Sequence, residues 1–516
     1  MNIFLKKFSF YTSFSRNRQF LNLFRGAFWS VLGNVFYQGL NFITFIIIAR
    51  YLGKTAFGEF GIINNTFLMF GEFSGIGLGL TATKYIAEFR YNDKENTGKI
   101  IGLTLTFTFI LGLIFSLIVY NFPEFISDKI LNAPHLKYLL KISSSLILIN
   151  ALIGVLNGIF SGFEAFKEIS LINASRGVLN LIFMITGVYT FHTVGLLIGY
   201  LFVSVITLLL SVILLNNIKK RENLTIFFFN FFKLFTTVFK FSFPAFLSSV
   251  VVVISMWLAN IIIVNLPNGY SELGQLNAAL QFRGILMFLP AIILQVLLPV
   301  MVNSLMHQAD EKDNSLLLYA QSLTVFLVLP IGCILIFLSD FIPYIYGESF
   351  IGSGPLFIGI VWSVMIMSLG MCIGTYIQAK GKMWIGFAIN FSYSLMLVVI
   401  TWLTSPFIGS KSIAFGSAIS YFVATIWLFH YLSPELPSKM SKRIYISLFF
   451  SFILVGFSLL LSPLLKLILL MPFSLLTLYL SINFFIDSKV KLRLSRSFSL
   501  VLKKFKLNFS LINLLN

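Results

Sequence analysis

A chain of 516 residues that is 58% hydrophobic and 11% charged, with a mean hydropathy of +0.93, has too little polar surface to remain soluble in water. Its apolar runs of about 20 residues match a hydrocarbon core about 30 Å thick, and the short alternating segments of a membrane β-barrel are missing. The sequence therefore predicts an all-α polytopic membrane protein and excludes a soluble enzyme.

Hydropathy predicts about fourteen transmembrane helices. An even number of spans puts both chain termini on the same side of the membrane. On that side we count 28 of the 37 Lys and Arg residues, against 7 on the other side and 2 within spans. Lys and Arg resist translocation, so the basic side is predicted to be cytoplasmic. The net charge of +19 thus reflects topology, and nucleic acid is not expected as a partner.

The predicted spans group into two bundles of six helices with two further helices at the end. The predicted domains are a cytoplasmic basic tail (1–25), an N-terminal six-helix bundle (26–216), a cytoplasmic linker (217–240), a C-terminal six-helix bundle (241–433), helices 13 and 14 (434–486) and a second cytoplasmic basic tail (487–516).

The two bundles read as copies of one another. Gly58 and Gly274, which follow short outer turns, are 216 residues apart, and so are Gly158 and Gly374 near the ends of two later spans. Because each copy has an even number of spans, both enter the membrane from the same side. The repeats are therefore parallel and pseudo-symmetric, and transporters built in this way bind their substrate between the halves.

Amide side chains recur on a single helix face in two of the predicted spans, the first and the eighth, and the second span adds one more. In a membrane such residues turn toward a wet cavity or hydrogen-bond to another helix, and both alternatives remain open here. The candidates for substrate binding are Asn34, Gln38 and Asn41 in the first span, Asn65 in the second, and Asn277 and Gln281 in the eighth.

Three charged residues lie deep within predicted spans. Arg283 is predicted near the membrane midplane. Arg176 lies inside span 5, on its cytoplasmic side, and Glu72 lies in the cytoplasmic half of span 2. A guanidinium suits a diphosphate because its planar fork donates paired, charge-assisted hydrogen bonds. The competing interpretations are a buried ion pair for Arg283, an arginine that reaches back to the cytoplasm for Arg176, and a structural carboxylate for Glu72. If functional, Glu72 is the candidate for coupling transport to protons or sodium.

Signatures of catalysis and of a cofactor are missing from the sequence. The four histidines are scattered, and no Ser/His/Asp grouping or Walker loop is present. The two cysteines, Cys333 and Cys372, lie in separate predicted spans with no metal-site spacing. The sequence therefore predicts a protein that is not an enzyme and needs no cofactor.

The segments Arg50–Gly53, Phe57–Phe60 and Gly77–Arg90, followed by Asp93, resemble the amino-terminal region of bacterial polysaccharide flippases. These belong to the multidrug/oligosaccharidyl-lipid/polysaccharide exporter superfamily and include O-antigen and capsule translocases of lipopolysaccharide and polysaccharide biosynthesis. The resemblance implies alternating access and an undecaprenyl-pyrophosphate-linked oligosaccharide moved from the inner to the outer leaflet of the bacterial plasma membrane. It also implies the phospholipid membrane and the polysaccharide polymerase machinery as partners.

Two other functions remain open at this point. One is a small-molecule or drug cation antiporter of the same fold, which would use a deep carboxylate such as Glu72. The other is a membrane glycosyltransferase or polymerase, which is disfavoured because no large outer loop is predicted.

Overall fold

The computed structural model describes residues 18–228, 232–306, 310–380, 382–436 and 438–482. These residues form an all-helical fold without β-strands, as predicted, since a helix in lipid satisfies its own backbone hydrogen bonds. The long helices are α1 (Arg18–Gly75), α2 (Leu78–Phe89), α3 (Lys94–Asn121), α4 (Lys137–Gly162), α5 (Phe166–Leu179), α6 (Ile185–Glu222), α7 (Phe232–Val264), α8 (Gly269–Met306), α9 (Asp310–Phe337), α10 (Gly354–Ala379), α11 (Met383–Ile408), α12 (Lys411–Leu432), α13 (Ser438–Leu460) and α14 (Pro463–Leu480), with a π-helical stretch (Asn180–Met184) between α5 and α6.

Eleven helical stretches of the described chain are long and apolar enough to cross a membrane. Two of them contain interior breaks, at Gly53 in α1 and at Phe191 and His192 in α6. Gly53 has φ 72°, a left-handed conformation that glycine adopts without steric cost, and it divides α1 into a first arm (18–52) and a second arm (54–75). The polytopic helical fold is therefore confirmed, and the total of fourteen spans stays a prediction.

The helices pack in two sets with the same pattern of partners. In the first half, α1 to α6, α1 packs on α5, α3 on α4 and α4 on α6. In the second half, α7 to α12, α7 packs on α11, α9 on α10 and α10 on α12. The last two helices lie outside this pattern, with α13 packing on α9 and α10 and α14 packing on α9. The architecture is therefore two like bundles with two added helices.

The halves meet where the second arm of α1 crosses α8. A Cβ atom on Gly58 would overlap the carbonyl oxygen of Tyr270, and one on Gly274 would overlap the carbonyl oxygen of Lys54. Lys54 and Tyr270 are themselves 216 residues apart, the same separation as Gly58 and Gly274. Each half therefore presents the same two positions to the other, as contacts across a two-fold axis do.

The apolar core joins the halves at one end of the molecule. One cluster of buried side chains includes Phe57 and Phe60 of α1 together with Leu273 and Leu276 of α8. The other large clusters of described side chains stay within one half: one lies around α2 and α4, and one lies around α9 and α10 and runs along α9 from Leu317 to Phe337. One buried cluster thus joins the halves near Gly58, and away from it the halves also touch where α1 and α2 pack on α7.

Hydrogen bonds from side chains to backbone carbonyl oxygens add to this closure. Asn265, at the turn before α8, donates its side-chain amide to the carbonyl oxygen of Ile130 at 3.1 Å. The hydroxyl of Tyr270 donates to the carbonyl oxygen of Leu131 at 2.8 Å. The loop between α3 and α4 in the first half is therefore tied to the start of α8 in the second half.

The helices extend past two of the predicted domain boundaries. Helix α6 continues to Glu222, beyond the expected end of the first bundle at 216, and ends with Lys219, Lys220 and Arg221, which favour a helix C-terminus electrostatically. Helix α7 begins at Phe232, within the expected linker. The domain ranges stay predictions, and residues 1–17 and 487–516 of the two predicted tails lie outside the described residues.

The glycine crossing can be tested with one methyl group. Gly58→Ala places a Cβ where the Tyr270 carbonyl lies, so we expect the free energy of unfolding to fall by about 1–3 kcal/mol. Gly71→Ala, in the same arm of α1, is the control because nothing lies within 4 Å of its added Cβ and alanine is the better helix former. Thermal unfolding in detergent should show a lower midpoint for Gly58→Ala alone. Equal midpoints would contradict the close contact.

Candidate functional site

Arg176 lies in α5 inside the first half. Its Nη2 donates to the hydroxyl of Tyr200 at 3.1 Å and to Oδ1 of Asn150 at 3.4 Å. Its guanidinium carbon lies 6.0 Å from the ring centre of Tyr37, within the range of a cation–π interaction. The ring of Tyr200 packs on Phe67, with centroids 5.8 Å apart. We call these five residues the first-half cage.

Arg283 lies in α8 and has a corresponding environment inside the second half. Its Nη2 lies 3.3 Å from the sulfur of Met367 in α10. The phenols of Tyr421 in α12 and Tyr393 in α11 lie near its guanidinium, and Tyr421 is the hydrogen-bonding neighbour. The two tyrosine rings stack with centroids 4.1 Å apart. We call these four residues the second-half cage.

Neither arginine has a carboxylate partner in the described part of the chain. No Asp or Glu oxygen there lies within 4.0 Å of a nitrogen of Arg176 or Arg283. Both side chains are partly exposed. An arginine at the centre of a membrane helix costs about 2.5–3.5 kcal/mol on insertion scales. Among the described residues, therefore, no buried ion pair offsets either positive charge.

Two of the predicted amides bond to another helix of the first half. Oδ1 of Asn34 accepts a hydrogen bond from Asn173 of α5 at 3.0 Å. Oδ1 of Asn41 accepts one from Asn180, at the start of the π-helical stretch, also at 3.0 Å. These bonds match the interhelical alternative raised by the sequence. A role of Asn34 and Asn41 in substrate binding stays a prediction.

The other predicted amides lie along the contact between α1 of the first half and α8 of the second half. Asn277 packs against Gly61 of α1, and its Nδ2 is buried without a hydrogen-bond partner in the described chain. Asn65 and Gln281 lie one helical turn further along the same two faces, and both are partly exposed. Gln38 reaches the same face of α8 further along, where a Cβ on Gly284 would lie 3.3 Å from its Oε1.

The structure therefore divides the candidate binding residues into three groups. Gln281 faces the first half, whereas Arg283, two residues later, points about 200° away around the helix and into its own half. The arginines lie within the halves, the amides of α8 lie between them, and Asn34 and Asn41 join α1 to α5. Their shared role in substrate binding stays a prediction.

Glu72 lies in the second arm of α1, five residues after Phe67 of the first-half cage, and is partly exposed. Its carboxylate has no hydrogen bond or ion pair with any residue that the structure describes. The neighbouring Phe73 packs on Phe246 of α7, with ring centroids 6.0 Å apart, so this part of α1 lies close to the second half. The ion-coupling role of Glu72 stays a prediction.

Several residues of the cages escaped the sequence reasoning. Tyr200 and Tyr421 carry no motif, and their positions follow from packing alone. Asn173 and Asn180 had a usable signal, because they are seven residues apart in the chain, as are Asn34 and Asn41 to which they bond. Equal spacing in two neighbouring spans predicts such a ladder.

Fold and site together define a class of protein. The chain is a multi-pass membrane protein with two like helical halves joined at one end and a deep guanidinium in each half. Within the described residues, no cluster of three or more His, Cys, Asp or Glu side chains is placed to hold a metal ion. This is the architecture of a membrane transporter.

Sequence comparison gives the family. The family described as polysaccharide biosynthesis protein matches residues 23–305, more than half of the chain, and the chain belongs to this family. Stage V sporulation protein B of Bacillus subtilis (strain 168) is 26% identical over 133 residues. That match spans 26% of this chain and 26% of the length of this curated relative.

Solved structures agree with the fold. The lipid II flippase MurJ, in an inward closed conformation, superposes with a TM-score of 0.66 at 18% identity over 88% of this chain and 97% of that one. An inward-facing multidrug resistance transporter of the MATE family, in the MOP superfamily, gives 0.64 at 17% identity over 77% of this chain and 95% of that one. A MOP superfamily transporter from Pyrococcus furiosus gives 0.62 at 16% identity, covering 80% and 96%. At these identities the likeness establishes the fold alone.

The ladder between α1 and α5 can be measured by a double-mutant cycle. Asn41→Ala and Asn180→Ala each break the same hydrogen bond, so the double variant should lose less stability than the sum of the single variants. We expect a coupling energy of about 0.6 kcal/mol, typical of membrane-embedded hydrogen bonds, from unfolding in mixed detergent. Asn41→Ala combined with Asn390→Ala, a distant amide that bonds to Ser248, is the control and should be additive. Additivity in the first cycle would contradict the bond.

Proposed function

We propose that this protein is a flippase that moves an undecaprenyl-pyrophosphate-linked oligosaccharide from the inner to the outer leaflet for surface polysaccharide synthesis. The observation that carries the proposal is that Arg176 and Arg283, one inside each half of the fold, have no carboxylate partner among the described residues. Membership of a polysaccharide biosynthesis family supports a lipid-linked sugar as the substrate class.

The chemistry of the site favours an anionic headgroup over a cationic drug. Each guanidinium has hydroxyl or thioether neighbours and no carboxylate within the described chain, so each half carries net positive charge at depth. Diphosphate oxygens match the planar donor fork of arginine and form charge-assisted bonds stronger than those between neutral groups. The amide residues Asn65, Asn277 and Gln281 would hydrogen-bond sugar hydroxyls along the contact between the halves.

The packing supports alternating access. The halves share one apolar core at the Gly58 end, and their other large buried clusters each stay within one half. With the basic side cytoplasmic, the shared end faces outward and the opposite end opens to the cytoplasm, where the lipid-linked sugar is made. The protein would then reside in the bacterial plasma membrane with both termini in the cytoplasm.

Coupling and partners follow from the same proposal. Glu72, which has no described partner, would bind the proton or sodium ion that drives the return of the empty protein. The partners would be the lipid-linked oligosaccharide, the phospholipid bilayer and the polymerase machinery that consumes the flipped repeat unit. O-antigen and other lipopolysaccharide precursors belong to this substrate class.

A cation antiporter is the second candidate. It is favoured by the unpaired carboxylate of Glu72 and by the likeness to the multidrug transporter. It is disfavoured by the two arginines, because a lipophilic cation would meet two uncompensated positive charges. Drug resistance conferred by the wild type and lost in Glu72→Gln, with polysaccharide display unchanged, would support the antiporter.

The charge of Arg283 gives the direct test of transport. Arg283→Ala should abolish surface polysaccharide and trap lipid-linked repeat units on the cytoplasmic leaflet in a strain that depends on this protein. The reason is that charge-assisted bonds of about 1.5–3 kcal/mol to the headgroup are lost, which corresponds to about ten- to hundredfold in affinity.

The matched control is Arg221→Ala, which removes an exposed arginine whose partners, Glu168 and Glu222, lie on the surface. It should leave polysaccharide display at the wild-type level. Full display by Arg283→Ala, with equal amounts of protein in the membrane, would remove Arg283 from the mechanism.

A further inference from the structure

The two cages occupy equivalent places in the repeat. The alignment that pairs Asn173 with Asn390 has an offset of 217 residues, and the same offset carries Arg176 onto Tyr393. The offset of 216 that relates Gly58 to Gly274 carries Phe67 onto Arg283. The arginine of the first half therefore lies at the position of a cage tyrosine in the second half, and the arginine of the second half lies at the position of a cage phenylalanine in the first.

In each half, a tyrosine of the sixth helix contacts both of the residues that exchange places. Tyr200 of α6 accepts a hydrogen bond from Arg176 and packs on Phe67. Tyr421 of α12 stacks on Tyr393 and interacts with Arg283. The three-residue arrangement is thus the same in both halves, and only the position that carries the guanidinium is exchanged.

The pseudo-symmetry extends to the bonds beside the cages. Asn173, one helical turn before Arg176, bonds to Asn34 at the start of the first span. Its counterpart Asn390, one turn before Tyr393, donates to the carbonyl oxygen and the hydroxyl of Ser248 in α7 at 3.0 and 2.9 Å. Both cages therefore rest on an equivalent joint, which fixes them at matching depth on opposite sides of the axis.

We infer that each half holds an anion subsite of its own, so that the protein has two phosphate-binding subsites rather than one shared by both arginines. The inference rests on the proposed function and refines its site. In the first-half cage, the phenol oxygen of Tyr200 accepts from the guanidinium, which leaves the Tyr200 O–H free to donate to an anion. Guanidinium and phenol together offer the convergent donors that a phosphate group requires.

The two subsites differ in strength. Arg176 donates to two oxygen acceptors and lies against the ring of Tyr37, so part of its hydrogen-bonding capacity is already used. Arg283 has the thioether sulfur of Met367, which is a weak acceptor, and the phenol of Tyr421 as its neighbours, and no amide oxygen in the described chain. An anion therefore gains more at Arg283, and the second-half subsite should take the lipid diphosphate first. The first-half subsite then takes a second anionic group at lower affinity.

Counting bound anions tests the inference. Calorimetric titration of the full-length protein in detergent with farnesyl diphosphate should give two sites, with affinities about tenfold apart, the value of one weak hydrogen bond. Arg176→Gln and Arg283→Gln should each leave one site, and the double variant none. Arg176→Lys and Arg283→Lys keep the charge and should keep both sites at reduced affinity. Arg221→Gln is the control and should match the wild type.

Inorganic pyrophosphate in place of farnesyl diphosphate separates the sources of the phosphate group. Saturation by both compounds assigns the subsites to phosphate chemistry in general, and saturation by farnesyl diphosphate alone assigns them to a lipid carrier. Loss of all binding in either single Gln variant would overturn the inference, because it would mean one joint site. Two intact sites in both single variants would overturn it as well.

A parallel flipping assay on the same variants keeps this inference distinct from the proposed function. One joint site with flipping that depends on the arginines would end the two-subsite inference and leave the flippase proposal standing. Two sites lost stepwise while the double variant still displays polysaccharide would confirm the subsites and end the proposed role of the arginines in flipping.

Discussion

The close approach of two backbones at Gly58 and Gly274 is the constraint on which the rest of the structure depends. Because glycine has no side chain, the backbones of α1 and α8 touch directly at these positions. Membrane helices often pack in this way, since the hydrophobic effect does not drive them together in lipid. The same crossing fixes the pseudo-two-fold axis and, by the repeat, the depth of Asn65 and Gln281. It also holds together one end of two bundles that otherwise keep separate cores.

The fold also contains two deep positive charges that are costly to place in a bilayer. Arg176 and Arg283 raise the cost of insertion, and in the described chain no carboxylate offsets them. Phenol and amide neighbours reduce that cost in part, since each guanidinium bond to a neutral oxygen is weaker than one to an anion. The proposed anion binding rests on this incomplete compensation of the two charges. A transporter whose halves part at one end and close at the other would expose these charges to each leaflet in turn.

The sequence predicted the repeat more fully than the site. The 216-residue offset, read from glycines alone, correctly paired Gly58 with Gly274, because close helix contacts constrain residue type locally. The sequence could not predict into which half the side chain of Arg283 points. That depends on the rotation of α8 about its axis, which is set by its packing against α1 on one side and α10 on the other. The interhelical partners of Asn34 and Asn41 were missed for a different reason. The seven-residue spacing of Asn34 and Asn41 matches that of Asn173 and Asn180, but the two pairs lie in different spans and the spans were not compared.

The account depends on the halves parting at the end where they now share a core. A disulfide between Ile130→Cys and Asn265→Cys, in a chain with Cys333→Ala and Cys372→Ala, would join the halves there, next to an existing hydrogen bond between these positions. Flipping of lipid-linked oligosaccharide should stop when this pair is oxidised and resume when it is reduced, with each single-cysteine chain unaffected. Equal flipping by the oxidised and reduced protein would contradict alternating access through this closure.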